Sequence, residues 1–264
     1  MLRDAQIRAF NERGLIKIDG LFGTETIRAA RQSLQPALEK AGLWRNEAWH
    51  LPAEDRPIFP MPGMNAKTLG RPSEIDALME DPALKNALAD LNISQTDTGF
   101  FGHPQILFTR PNSETWFVPA GAWHLDVPRL ASNQRPGVQL FTFLDEVCPR
   151  GGGTLVAAGS HRLLNTGAFI RSRDVKRKLG QDRFFKRLFS DDGDRKNLLS
   201  ETGNVDGFEI EITELTGAPG DAYLMDLRTL HTLAPNTAQH PRIMVTQRFV
   251  TASCVPELSP HFNV

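Results

Sequence analysis

The chain has 264 residues, 40% of them hydrophobic and 23% charged, and its 30 Lys and Arg against 31 Asp and Glu leave a net charge of −1. That balance excludes a global electrostatic grip on nucleic acid or an anionic membrane, and the composition is not that of a disordered, collagenous or disulfide-scaffold protein. At about 100–200 residues per domain, length alone allows one large domain or two small ones.

The first forty residues read as helix, strand, helix. An amphipathic segment begins with Ala5, Ile7, Ala9 and Phe10, and Gly14 ends it. LIKIDGLF (15–22) reads as a short strand. Thr24 is placed to cap a second helix through about Lys40, with Glu25 in its first turn and Gly42 as its stop. Residues 44–72, rich in Pro, Gly and Trp, read as an irregular packed loop. Helix returns over 73–91, with Ser73 as one cap and Asp81-Pro82 opening a further turn. The helical N-terminal part thus spans about 1–95.

From about residue 98 short apolar runs alternate with Gly, Pro and Asn. They predict strands near 104–110, 121–127, 137–144, 153–157, 207–213, 221–226 and 242–250. Such a series argues for an all-β sandwich or barrel, and the 18 Pro and 21 Gly suit its many turns. The interruption at 163–205 is strongly charged and is assigned as a partly helical insertion over the barrel mouth. No linker separates the helices from the strands, so 1–264 is read as one domain.

Cys148 and Cys254 lie in no zinc-ribbon or redox spacing. No apolar run approaches the roughly 20 residues of a transmembrane helix, and MLRDAQIRAFNERG has no signal-peptide core. The expected setting is a reducing cytoplasm.

Of seven histidines, His124 alone begins a His-x-Asp triplet, in GAWHLDVP. On a strand, His124 and Asp126 point to one face and both reach one small cation. Two His and a carboxylate with open positions form the facial arrangement of non-haem Fe(II) oxygenases. GDAYLMDLRTLHTLAPNTAQHPR supplies a second candidate, His231, just past a strand. Arg242 starts the next strand and is placed to clamp a carboxylate through two hydrogen bonds.

These residues resemble the phytanoyl-CoA dioxygenase family of Fe(II)- and 2-oxoglutarate-dependent oxygenases. The likeness rests on WHLD at 123–126, GGGTLVAAGSHR at 151–162, GDAYLMDLRTLH at 220–231, and Asn236 followed by Arg242. It spans roughly residues 5–250. The resemblance implies a mainly β fold with flanking helices, the double-stranded β-helix or jelly roll. It implies Fe(II) on His124, Asp126 and His231, with 2-oxoglutarate chelating the iron and its far carboxylate on Arg242. The spacing of eleven residues between His231 and Arg242 is the family's. Thr142, and more weakly Gln105, match positions that touch 2-oxoglutarate. O2 is the second co-substrate, and ascorbate is a stimulating reductant. The family's Pro-Gly-Ser-His appears here as Ala158-Gly159-Ser160-His161, a change read as affecting a turn rather than catalysis.

The implied activity is hydroxylation of an unactivated C–H bond in a small molecule, with release of succinate and CO2. Related halogenases lack the carboxylate that Asp126 supplies. Desaturation, epimerisation or cyclisation at the same iron site is the alternative, as is a jelly roll that binds metal or ligand without catalysis. His161 and Trp123 are read as structural and packing residues. Arg248, on the same side of its strand as Arg242, is the rival carboxylate anchor. The eight basic residues in 171–187 read first as a solvated helix face and second as an electropositive lid for an anionic substrate. Neither nucleic acid nor membrane is expected as a partner, and the sequence does not set the oligomeric state.

Overall fold

The computed structural model describes residues 1–51, 69–93, 96–97, 100–191, 195 and 197–262. Helix α1, Asp4–Arg13, stops at Gly14, whose φ of 66° is left-handed. A Cβ there would also lie 2.5 Å from His161 Nδ1, so both backbone and contact demand glycine. Strand β1, Leu15–Ile18, follows, then α2, Thr24–Ser33, and α3, Gln35–Lys40. Gly23 caps α2, so Thr24 is its first helical residue and not the expected cap. Within the expected irregular loop, β2 (Trp44–Arg45) and β3 (Ala48–Trp49) form a hairpin. Asn46 and Glu47, at φ 50° and 59°, make its turn. Residues 52–68 of that loop lie outside the described residues. Helix α4, Ser73–Ala77, is capped by Pro72 rather than Ser73. Helix α5, Pro82–Asp90, has the expected Asp81 cap, whose carboxylate accepts from Ala83 N at 2.8 Å.

The remaining strands are β4 (Thr96–Asp97), β5 (Gln105–Thr109), β6 (Gly137–Phe143), β7 (Leu155–Ala158), β8 (Thr202–Val205), β9 (Phe208–Glu214), β10 (Ala222–Asp226), β11 (His231–Thr232) and β12 (Arg242–Thr251). They form two antiparallel sheets. One runs β1-β10-β6-β12, with β4 and β5 both on the far edge of β12; the other runs β11-β7-β9-β8. Together they are the two faces of a jelly roll.

Side-chain alternation sorts three apolar layers. Phe141, Phe143, Val156, Met225 and Met244 meet between the sheets. Val138, Leu140, Leu224, Ile243 and Val245 face the other way, onto Phe10, Ile27, Leu34 and Leu88 of the helices. Leu155, Ala157, Ile210 and Ile212 point out of the second sheet onto helices α6 (Ser172–Leu179) and α7 (Arg183–Phe189), through Val175, Leu179, Phe185 and Leu188. The insertion therefore covers the outer face of the second sheet, not the barrel mouth, and its end contributes β8 to that sheet. The apolar stripe that makes these helices amphipathic is consumed by the sheet.

The expected strand at 121–127 is not regular. It makes one isolated bridge, His124 to His231, at the edge beyond β11. Alternation survives there even so: Trp123 and Leu125 join the outer layer, which turns His124 and Asp126 inward.

Candidate active site

His124 N–H donates to His231 O at 3.0 Å and His231 N–H to His124 O at 3.1 Å. This reciprocal pair sets the two imidazoles side by side, with centroids 4.4 Å apart. Asp126 lies between them: His124 Nε2 is 3.6 Å from its Oδ1, and His231 Nε2 is 3.7 Å from its Oδ2. One ligand atom from each residue falls within 4.8 Å of the others, the one such group of His, Cys, Asp or Glu among the described residues. The His124 side chain is 49% exposed, against 10% for Asp126 and 6% for His231, so the site opens on the His124 side.

Both imidazoles are held in the tautomer a metal needs. Nδ1 of His124 lies 2.7 Å from Ala122 O, and Nδ1 of His231 lies 3.1 Å from Thr229 O. A carbonyl only accepts, so each Nδ1 carries the proton and each Nε2 lone pair faces the centre. Ala122 takes φ 55°, uncommon for a residue with a Cβ, in the turn that brings its carbonyl to that ring.

Charge is arranged to match. Burial alone would raise the Asp126 carboxyl, but His124 close by and the charges of His231 and Arg248 hold it well below the usual carboxylate range. Arg248 Nε donates to Asp126 Oδ2 at 2.6 Å. The nearby Asp126 carboxylate raises His124, while burial pushes His231 down to about 4, which keeps it neutral.

The backbone before His231 is pinned from both sides. Leu230 N–H donates to Ser160 Oγ at 2.9 Å, and Ala157 N–H donates to Leu230 O at 2.8 Å. Buried Arg129 donates to Ser160 O and His161 O at 2.7 and 2.9 Å, fixing the GSH turn. His161 is spent on structure: its Nε2 bonds Asn11 O at 3.0 Å, and burial pushes it down to about 4. Upstream, buried Asp226 is gripped by Arg228 Nε and Nη2 at 2.9 and 2.8 Å and by Arg135 Nε at 3.2 Å. This clamp rigidifies the turn that delivers His231.

Arg242 opens β12 and shares the inward face with Met244, Thr246 and Arg248, since Ile243, Val245 and Phe249 face the helices. Its Nη1 donates to Gly152 O at 2.6 Å and its Nη2 to Thr109 Oγ1 at 2.7 Å. Its Nε is buried without a partner, and among the described residues no carboxylate pairs with it. Burial pushes it down to about 10, against the pull of Glu214. Arg242 also lines a cavity of about 1180 Å³, with Trp44, Trp49, Asp145 and His240, that does not reach the triad.

The structure thus brings His124, Asp126 and His231 together and turns Arg242 into the same interior. Gln105 shares the inward face of β5 with Leu107 and pairs in register with Thr246, two residues from Arg248. It is exposed, at the rim of the barrel. Thr142 corrects the expectation. It lies on the face of β6 shared by Val138 and Leu140, and its hydroxyl donates to Asp221 O at 2.9 Å. Its place toward the interior is taken by Gln139 and Phe141. Sequence reasoning offered Arg248 as a rival carboxylate anchor, quoted Ser160 only within its motif, and did not single out Gln139 or Arg129. Arg248 carried the period of two along β12 and Ser160 the GSH motif; Gln139, on an evenly buried β6, and Arg129 carried none.

Among solved structures, the chain is similar to SnoK, a non-haem alpha-ketoglutarate-dependent carbocyclase from nogalamycin biosynthesis, at 16% identity and a TM-score of 0.58 over 95% of this chain and 85% of that one. It is similar to EctD from S. alaskensis with bound Fe, at 16% identity and a TM-score of 0.57 over 96% and 78%. EvdO2 from Micromonospora carbonacea var. aurantiaca, complexed with 2-oxoglutarate, matches at 15% identity and a TM-score of 0.52 over 96% and 92%. A search of curated protein sequences returns no significant match. The model of the phytanoyl-CoA dioxygenase (PhyH) family matches residues 10–244, and the chain belongs to that family of Fe(II)- and 2-oxoglutarate-dependent oxidoreductases.

Proposed function

We propose that Fe(II) is held by His124, Asp126 and His231, that Arg242 anchors the far carboxylate of 2-oxoglutarate, and that the enzyme hydroxylates an unactivated C–H bond of a small molecule. The observation that carries this reading is one barrel interior presenting a cation site at one end and a buried, carboxylate-free guanidinium further down β12. The residues fit the two groups. The donor set is two imidazoles that can each offer Nε2 and one carboxylate, suited to Fe(II), and the orphaned Nε–H of Arg242 lacks an acceptor, which no described carboxylate supplies.

When bound, Fe(II) with 2-oxoglutarate supplies oxidation by O2: substrate R–H, 2-oxoglutarate and O2 become R–OH, succinate and CO2. The chain's own residues provide the setting. His124 and His231 keep their protons on Nδ1 and offer Nε2. Asp126 offsets the cation's charge. Arg242 fixes the length and direction of a dicarboxylate lying along the interior. Phe141, Met225 and Met244 keep water from the space between. Gln105, at the open rim, is placed to touch co-substrate or substrate.

The helical N-terminal part and the barrel share one core, which supports a single working domain over 1–264. No helix among the described residues is long and apolar enough to cross a membrane. A reducing cytoplasm suits Fe(II) and the free Cys148 and Cys254. The substrate is a small molecule, with an anionic one as the case to test first. The test is succinate release with Fe(II), ascorbate and 2-oxoglutarate across a substrate panel, with product analysis. Substrate-stimulated succinate and a product gaining one oxygen are expected. A product two hydrogens lighter, or an isomer, would move the outcome to desaturation, cyclisation or epimerisation. Failure of 2-oxoglutarate to bind the Fe(II)-loaded protein would overturn the reading.

A further inference from the structure

We propose that Arg248 is a positioning residue that commits Asp126 to a metal through one oxygen, and so keeps a third coordination position open beyond the two that the co-substrate takes. The inference rests on the assignment of the triad to Fe(II). Arg248 faces inward on β12, opposite Gln139 of β6 in register, 122 residues from its partner in the chain. Its Nε donates to Asp126 Oδ2 at 2.6 Å. Its guanidinium carbon sits 5.1 Å from the centre of the Phe101 ring, which limits how far the group can swing.

The two oxygens of Asp126 are thereby unlike. Oδ2 carries a charge-assisted hydrogen bond, and Oδ1 faces His124 Nε2 at 3.6 Å. A carboxylate with both oxygens free can chelate a cation through both, whereas an oxygen engaged by a guanidinium is a poor ligand. An ion taking six ligands keeps three positions free when each side chain gives one atom, and two when Asp126 gives both. A co-substrate that itself chelates needs two, so the position at stake is the third, which O2 needs. Arg248 also differs from Arg242 in having a carboxylate already, which removes it as the rival anchor.

Charge alone makes the opposite forecast. A guanidinium beside a cation site repels the cation, so its removal should tighten metal binding and change nothing else. Three variants of the full chain separate the ideas. Arg248→Gln places an amide nitrogen at the same number of bonds from Cα as the arginine Nε, keeping the donor and losing the charge. Arg248→Lys keeps the charge and moves the donor. Arg248→Met keeps neither.

The probes are Co(II), whose visible absorption reports its coordination, and 2-oxoglutarate binding to the Co(II)-loaded protein by calorimetry, with Tm as a check on folding. Wild type and Arg248→Gln should share one Co(II) spectrum and bind 2-oxoglutarate within about threefold of each other. Arg248→Met should show a changed Co(II) spectrum before any co-substrate is added, and a spectrum still unlike wild type once 2-oxoglutarate is bound. A Met variant with the wild-type spectrum overturns the inference, as does a Gln variant whose 2-oxoglutarate affinity falls with the lost charge, which would make the charge a direct carboxylate anchor. If Arg248→Met does not fold, the other pair decides: Gln near wild type with Lys impaired supports the inference, and the reverse overturns it. Wild-type protein that takes up no Co(II) overturns the triad assignment, and this inference with it.

Discussion

The two inward-facing arginines of β12 meet their surroundings in opposite ways. Arg248 sits near the open end, bonded to a carboxylate that two histidines share. Arg242, six residues away, has neutral acceptors alone, Gly152 O and Thr109 Oγ1, and is buried to 3% exposure. A guanidinium already paired is a poor anchor for a further anion, because its charge is largely spent. One buried without a carboxylate is costly in the empty protein and correspondingly favourable to fill. Under the proposed function, one strand prepares a cation site at one end and an anion site at the other, and its chemistry depends on that difference being kept.

The most damaging change should be Asp126→Ala. It leaves two imidazoles with no anionic oxygen and frees Arg248 to face the ion. Metal affinity should fall more than about 100-fold and succinate release should vanish. Co(II) titration and the succinate assay read the two losses separately. Full activity in this variant would break the triad assignment outright.

Arg242→Met should act at the other end alone. Removing one partner of a buried charged pair costs about 2–5 kcal/mol, so 2-oxoglutarate affinity should weaken by about 30- to 4,000-fold. Co(II) affinity should stay within about threefold of wild type. If both affinities fall together, the two ends are not independent and the comparison fails.

Much of this contrast was legible in the residue order, and the illegible part has physical causes. His124 and Asp126 were readable because alternation places them on one face, even where no regular strand forms, since Trp123 and Leu125 are drawn to the outer core. Thr142 was not readable. All seven residues of β6 are buried, so neither face has a polar signature, and the register with β10 and β12 alone decides that Gln139 points in and Thr142 out. The pairing of Asp126 with Arg248 spans 122 residues and leaves no local trace. The insertion was legible as charged and partly helical, but nothing local to it told which wall Val175, Leu179, Phe185 and Leu188 cover.

Ser160→Ala tests whether His231 depends on the turn behind it. The substitution strips the acceptor from the buried Leu230 N–H, at about 1–3 kcal/mol in urea denaturation. Co(II) affinity should fall about tenfold if that bond holds His231 in place. Loss of stability with unchanged affinity would reduce Ser160 to packing.

His161 should add a pH dependence that belongs to the fold alone. Burial pushes it down to about 4, below the roughly 6.5 of an unfolded chain. The unfolded state therefore takes up the proton first. The stability is whole above pH 6.5 and drains away as pH falls from there to 4, by about 2 kcal/mol at pH 5. In the metal-free protein, His161→Gln should flatten the slope between pH 7 and 5 by that amount. An unchanged slope would mean His161 takes up its proton equally in the folded and the unfolded chain.

The smallest effect is expected where the second reading of the sequence, an electropositive lid, would place a large one. Reversing Arg173 and Lys178 to Glu in α6 changes the local charge by four, and on an electropositive lid that would raise KM for an anionic substrate many-fold. The helix instead buries Val175 and Leu179 against the outer face of the second sheet, behind the wall that carries His231. Charges exposed on that far side are separated from the interior by the sheet and are screened by water, with a Debye length of roughly 8 Å at physiological salt. KM should therefore change less than about twofold, at 0.15 M salt, for anionic and neutral substrates alike. A rise confined to anionic substrates would return these helices to the substrate's path and would mean that the approach to the triad passes over α6.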